Sequence, residues 1–128
     1  MEEIVTGIQH IGIPTNDIEK TIAFYVSLGF SVVLRTINEA AKEQVCFLRL
    51  KNLCIETYQN GCAAGKPGAI DHVALDVTDV DAAFAKVKAM GYPMYDSEIQ
   101  FLPFWEKGVR FFTIPGPNGE KVEFSQML

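Results

Sequence analysis

The chain has two histidines. His10 lies in GIQHIGIPT and His72 in AIDHVALDV, β-favouring apolar runs where packing alone does not call for an imidazole. The two stretches are one pattern repeated at an offset of 62 positions. The same offset pairs Ile8 with Ile70, Asp17 with Asp79, Ala23 with Ala85 and Gly29 with Gly91, with conservative pairs such as Ile11/Val73 between them. Strand side chains alternate between faces. His10 is therefore turned away from Ile11 and Ile13, and His72 away from Val73, Leu75 and Val77. The same parity in LCIETYQ and EKVEFSQ turns Glu56 away from Ile55 and Thr57, and Glu123 away from Val122 and Phe124. Each half contributes one imidazole and one carboxylate to the face opposite its apolar layer.

That pattern has a chemical consequence. Two carboxylates brought to about 4 Å repel by roughly 4 kcal/mol at an effective dielectric of 20, so one must take up a proton unless a cation lies between them. A divalent metal ion removes the conflict. Two imidazole nitrogens and two carboxylate oxygens suit Ni, Zn, Co, Mn or Fe, and no thiolate biases the choice.

The elements that must position these groups read as strand, turn, helix, then strands, twice over. TNDIEKTIAFYVSLG opens with Asn16 as the expected N-cap and Glu19 three residues on, carries Ile18, Ile22, Tyr25 and Val26 at helical spacing, and stops at Gly29. In the second half Thr78 is the expected cap with Asp81, the apolar face is Val80, Phe84 and Val87, and Gly91 closes. Strands are expected at FSVVLRTI, QVCFLRL and LCIETYQ, then near YPMYDSE and at GVRFFTI and EKVEFSQ. The last two are joined by PGPNG, a hairpin signal. The linker NGCAAGKPGA is rich in small residues. The reading is a single α+β domain over 1–128 with two tandem β-α-β-β-β modules, about 4–60 and 69–127. They form a curved mixed sheet around a metal cleft with helices on the outer face.

Composition excludes several classes. A net charge of −5 with scattered Lys and Arg offers no basic stripe for nucleic acid. No apolar run reaches the length of a membrane helix, and the acidic MEEIVTG start is unlike a secretory signal, so a cytoplasmic location is expected. Cys46, Cys54 and Cys62 form no C-x-x-C and no even set, and are expected as buried thiols of a reducing compartment.

Paired modules with His, Glu, His, Glu on their first and last strands resemble the vicinal-oxygen-chelate superfamily (glyoxalase, bleomycin resistance, dioxygenase), and within it are most similar to glyoxalase I (lactoylglutathione lyase). The resemblance spans residues 7–127 and rests on GIQHIGI, IETY, DHVALDV and GPNGEKVEF. It implies one divalent metal per site held by His10, Glu56, His72 and Glu123. It also implies isomerisation of the hemithioacetal of a 2-oxoaldehyde through an enediolate, for methylglyoxal detoxification, with Glu123 as base and Glu56 sharing the work. No redox cofactor is implied. Pro14 stands where glutathione-using members carry an Arg, whereas Asn60 matches a position that the family uses for glutathione, so the carrier thiol is left open. IQFLPFWEKG offers Phe101 and Trp105 as an apolar wall or lid, with Lys107 and Arg110 as partners for an anionic group. A homodimer is implied by resemblance alone. The alternatives within the superfamily are a fosfomycin-type thiol transferase, an epimerase, a dioxygenase, or a drug-binding resistance protein without catalysis.

Overall fold

The computed structural model describes residues 1–128 as two compact units, Met1–Ala63 and Ala64–Leu128. The first contains β1 (Ile11–Thr15), α1 (Ile18–Ser27), β2 (Ser31–Asn38), β3 (Glu43–Leu50) and β4 (Leu53–Gln59). The second contains β5 (His72–Asp76), α2 (Val80–Ala89), β6 (Gln100–Leu102), β7 (Val109–Pro115) and β8 (Lys121–Met127). The architecture is α+β, two β-α-β-β-β modules, each a four-stranded mixed sheet. No helix is long and apolar enough to cross a membrane.

Strand order is β1-β4-β3-β2 in the first unit and β5-β8-β7-β6 in the second. Within each sheet the last three strands run as an antiparallel meander that returns the final strand beside the first, in parallel. This return is the decisive feature of the topology. It makes strands that are far apart in sequence into neighbours, and it puts β4 and β8 inside their sheets, bonded on both sides.

One face of each sheet carries the core. Ile13, Leu48, Ile55 and Thr57 meet Ile18, Thr21, Phe24 and Tyr25 of α1. Phe112, Ile114, Val122 and Phe124 meet Val80 and Val87 of α2, with Phe84 edge-on to Phe112. The α1 stripe therefore runs through Thr21 and Phe24, while Val26, expected inward, is 46% exposed. Thr21 is tolerated at the core because its hydroxyl meets that of Thr15 at 2.9 Å.

The helix caps are one residue later than expected. Asp17, not Asn16, caps α1 by accepting from the Lys20 amide, and Asp79, not Thr78, caps α2 by accepting from the Ala82 amide. Asn16 instead accepts from the Ala63 amide at 3.0 Å, tying the end of the unit to the start of its helix. A second device recurs. The side-chain oxygen of Gln59 accepts from the Ile18 amide at 2.8 Å, and that of Gln126 from the Val80 amide at 2.9 Å. Each helix start is thereby fastened to the last strand of its own module, and the free N–H groups of a first turn are satisfied. Both helices end at a glycine with positive φ, Gly29 at 104° and Gly91 at 78°.

Strand bounds follow the sequence pattern closely in seven of the eight expected cases. The remaining one differs: residues 92–98 are irregular with bends at Tyr95, Ser97 and Glu98, and the short strand β6 lies at Gln100–Leu102. The 93–98 segment is held to β7 instead by the Asp96 carboxylate, which accepts from the Thr113 amide at 2.8 Å, and by the Tyr95 amide, which donates to the Thr113 carbonyl. Cys46 and Cys54 are buried and free, whereas Cys62 is exposed, which corrects the expectation of three buried thiols. The Gly116–Gly119 turn joins β7 to β8, and the Gly65 amide donates to the Asn118 carbonyl at 2.9 Å. At Gly119 (φ 87°) a Cβ would land on the Gly65 and Lys66 backbone, so the linker lies directly against this turn.

Candidate metal centre

The parallel pairing decides where the four chemical groups go. In the first unit Gly12 is the register partner of Glu56, and in the second Ala74 is the partner of Glu123. Each small residue is two positions after the histidine and on the same face, so the histidine and glutamate share one neighbourhood in both modules. His10 immediately precedes β1 and His72 opens β5. The histidines stand at the strand starts rather than in mid-strand, as the repeat would suggest.

His10 Nε2 lies 3.1 Å from Glu56 Oε2, and His72 Nε2 lies 3.5 Å from Glu123 Oε2. The other ring nitrogen is engaged in each case. His10 Nδ1 is 2.8 Å from Gln9 Oε1, and His72 Nδ1 is 3.0 Å from Asp71 Oδ2. Both of those oxygens are acceptors, so they favour the tautomer with the proton on Nδ1. In the neutral ring, Nε2 then presents a lone pair to a carboxylate oxygen. Two acceptors at 3.1 and 3.5 Å attract a cation between them, either a proton or a metal ion. Two ligands on one ion with bonds of about 2.1 Å are about 3.0 Å apart at a right angle and about 3.4 Å apart at a tetrahedral angle. Both pairs fit that bite. Within either unit, no third His, Cys, Asp or Glu completes a metal-ligating group. Each module thus brings one histidine nitrogen and one glutamate oxygen together.

The surroundings differ between the halves. Phe47, the register partner of Glu56, stands edge-on to the His10 ring at a centroid distance of 5.5 Å. Gly12 leaves room for the Tyr58 ring, which a Cβ there would contact. In the second module, Thr113 is the partner of Glu123, and Lys121 is the partner of His72. The Lys121 ammonium reaches both Asp71 oxygens, at 3.1 and 3.3 Å. The His72 imidazole, and then Lys121, hold the Asp71 carboxyl below the usual carboxylate range.

The expected substrate residues fall just after β4 and on β6, β7 and the loop between them. Arg110 shares its face with Phe112 and Ile114, opposite to Glu123, and its guanidinium grips the Asp81 carboxylate through contacts of 2.6 and 2.9 Å. This corrects its assignment to an anionic substrate: the parity of β7 turns it toward α2. Glu19 on α1 is held in the same way by Arg35, so the pair is a repeated helix anchor. Asn60 spends its side-chain carbonyl on the Cys62 amide at 2.9 Å, in a turn beyond β4. Phe101 packs its ring over Gly108, and Phe101, Phe104 and Trp105 remain 57%, 55% and 75% exposed. Lys107 is exposed in the same loop. Sequence reading passed over Gln9 and Asp71, although the 62-residue offset pairs them, and over Gln59 and Gln126, each three residues after its glutamate.

The profile of the Glyoxalase/Bleomycin resistance protein/Dioxygenase superfamily matches residues 7–124. The chain belongs to this superfamily. It is 34% identical over 125 residues to the uncharacterized protein YwbC of Bacillus subtilis (strain 168), covering 93% of this chain and 96% of that one. Among solved structures it is similar to a glyoxalase family protein from Enterococcus faecalis, with a TM-score of 0.78 at 20% identity, covering 94% of this chain and 97% of that one. It is also similar to the genomically encoded fosfomycin resistance protein FosX from Listeria monocytogenes, solved with Mn(II) and sulfate. That TM-score is 0.76 at 17% identity, covering 98% of this chain and 95% of the other. At these identities the likeness is one of fold. The glyoxalase/bleomycin resistance/dioxygenase superfamily includes proteins that hold a divalent metal, as the Listeria structure does.

Proposed function

We propose that the protein is a metal-dependent isomerase of the glyoxalase I type. It would convert the hemithioacetal of a 2-oxoaldehyde, such as methylglyoxal plus a thiol, into a 2-hydroxyacyl thioester in the cytoplasm. One observation carries the reading: each module aims a histidine nitrogen and a glutamate oxygen at each other at ligand spacing, 3.1 and 3.5 Å, with the far side of each ring already hydrogen-bonded. The two half-sites serve one ion, whether they come from one chain or from two copies in a homodimer. A bound divalent ion would supply Lewis-acid stabilisation of the negative charge that develops on adjacent oxygens.

The chain's own groups do the rest. His10 and His72 hold their Nε2 atoms toward the glutamates. Glu123 takes the proton from the carbon that bears the thiol and returns it to the neighbouring carbon, with Glu56 as the second carboxylate able to share the transfer. The proton only changes carbon, so no redox partner is consumed. The exposed Phe101 and Trp105 offer apolar contact to the substrate.

Support for a metal comes from membership of the superfamily and from the Mn(II) in the Listeria relative. The test is turnover of methylglyoxal hemithioacetals formed with a panel of thiols, in the presence of Ni²⁺, Co²⁺, Zn²⁺ or Mn²⁺. Thioester formation with at least one thiol, lost in Glu123→Gln, is the expected result. Failure of every adduct, or consumption of fosfomycin in its place, overturns the isomerase reading.

A further inference from the structure

Gln9 and Asp71 occupy the same place in the two modules, one residue before each histidine, and both accept from Nδ1. Which imidazole nitrogen is available to a ligand is set by the hydrogen bond that the other one makes. In the second module this bond belongs to a closed ring of contacts. β8 supplies Lys121, which holds both oxygens of Asp71, and Asp71 holds His72 Nδ1. The ring's Nε2 then faces Glu123, two residues beyond Lys121 on the same strand and face. The first module has no such brace: the residue two before Glu56 is Cys54, and Gln9 is a neutral amide. We infer that Asp71, braced by Lys121, is a positioning residue. It locks His72 in the Nδ1–H tautomer and presents Nε2 for metal, and Gln9 does the same more weakly for His10. The inference rests on the metal-centre reading for its consequence, but not for its geometry.

The physical reason is direct. Without the neighbouring oxygen, nothing holds the proton on Nδ1 or the ring plane in line with Glu123. A carboxylate is also a stronger acceptor than an amide, so the second half-site is the better prepared of the two. Loss of such an outer partner typically weakens metal binding about 10- to 100-fold.

The experiment compares wild type, D71A, D71N and Q9A as full chains. In metal-free protein at about pH 8.5, above the ordinary histidine range near 6.5, ¹⁵N-edited NMR reads the tautomer of each ring. Calorimetric titration with Mn²⁺ reads affinity. The expected results are an Nδ1–H ring at His72 in wild type and a mixture of tautomers in D71A, with affinity roughly 10- to 100-fold weaker. D71N keeps an acceptor oxygen and so retains the tautomer, with a smaller loss of affinity. Q9A affects His10 alone, with a smaller loss than D71A. The inference is overturned if His72 in wild type carries its proton on Nε2, or if D71A alters neither tautomer nor affinity. If wild type binds no Mn²⁺, Ni²⁺ or Zn²⁺ while the tautomers behave as stated, the metal-centre reading fails and the positioning role stands.

Discussion

Replacing Glu56 with aspartate keeps the charge and the carboxylate and shortens the side chain by one methylene, about 1.5 Å. The structure turns that small change into a large one. Glu56 sits on β4, which is hydrogen-bonded to β1 on one side and β3 on the other, so the backbone cannot advance to compensate. The separation between His10 Nε2 and the carboxylate oxygen, 3.1 Å now, opens to as much as ~4.6 Å. Two ligands on one ion with bonds of about 2.1 Å can be no more than about 4.2 Å apart. In the proposed four-ligand site, one ligand is therefore lost. Apparent binding free energies of about 10–16 kcal/mol for four-ligand structural Zn²⁺ sites correspond to roughly 2.5–4 kcal/mol per ligand. That is about two to three orders of magnitude in affinity. Glu56→Asp should thus weaken Zn²⁺ binding by roughly 60- to 700-fold in a calorimetric titration. Its metal-free thermal midpoint should stay close to that of wild type, because the partly exposed His–Glu contact contributes about 1 kcal/mol or less. A Glu56→Asp protein that binds metal within threefold of wild type would falsify the ligand geometry.

Other outcomes follow from the fold. The Thr57 hydroxyl is fully buried without a hydrogen-bond partner, so Thr57→Val should stabilise the protein by about 1 kcal/mol and raise the thermal midpoint by roughly 3–4 °C; a lower midpoint would contradict this. The Arg110 guanidinium holds the exposed Asp81 carboxyl below its usual range. A carboxyl depressed on folding contributes stability that is present above its unfolded pKa of about 3.9 and is lost as pH falls through the folded value. Asp81→Asn should accordingly flatten the acid limb of a midpoint-versus-pH curve below about pH 4, an effect that 1 M salt removes in wild type. Gly119→Ala places a methyl against the Gly65–Lys66 backbone at a positive φ. It should cost about 1–3 kcal/mol and speed hydrogen exchange at the Gly65 amide, whereas an unchanged exchange rate would show that the linker is not held there.

Much of this was legible in the sequence, because the information is periodic. The duplicated run around His10 and His72, the glycine stops at Gly29 and Gly91, and the strand parity around Glu56 and Glu123 are local properties that a chain cannot hide. They suffice for the α+β modules and for the face on which each histidine and glutamate lies. Partnership was not legible. Asn16 and Asp17 are both good caps by type, and only the backbone path decides which carboxylate or amide meets the Lys20 amide. Arg110 reads as a free cation until the register of β7 turns it to Asp81. Gln9 and Asp71 look like ordinary polar residues until the rings beside them are seen to need an acceptor. The residue types and their alternation are written along the chain. The insertion of β4 beside β1, and of β8 beside β5, joins groups some fifty positions apart, and that is settled only when the meander closes, since no local preference specifies a partner so distant in sequence.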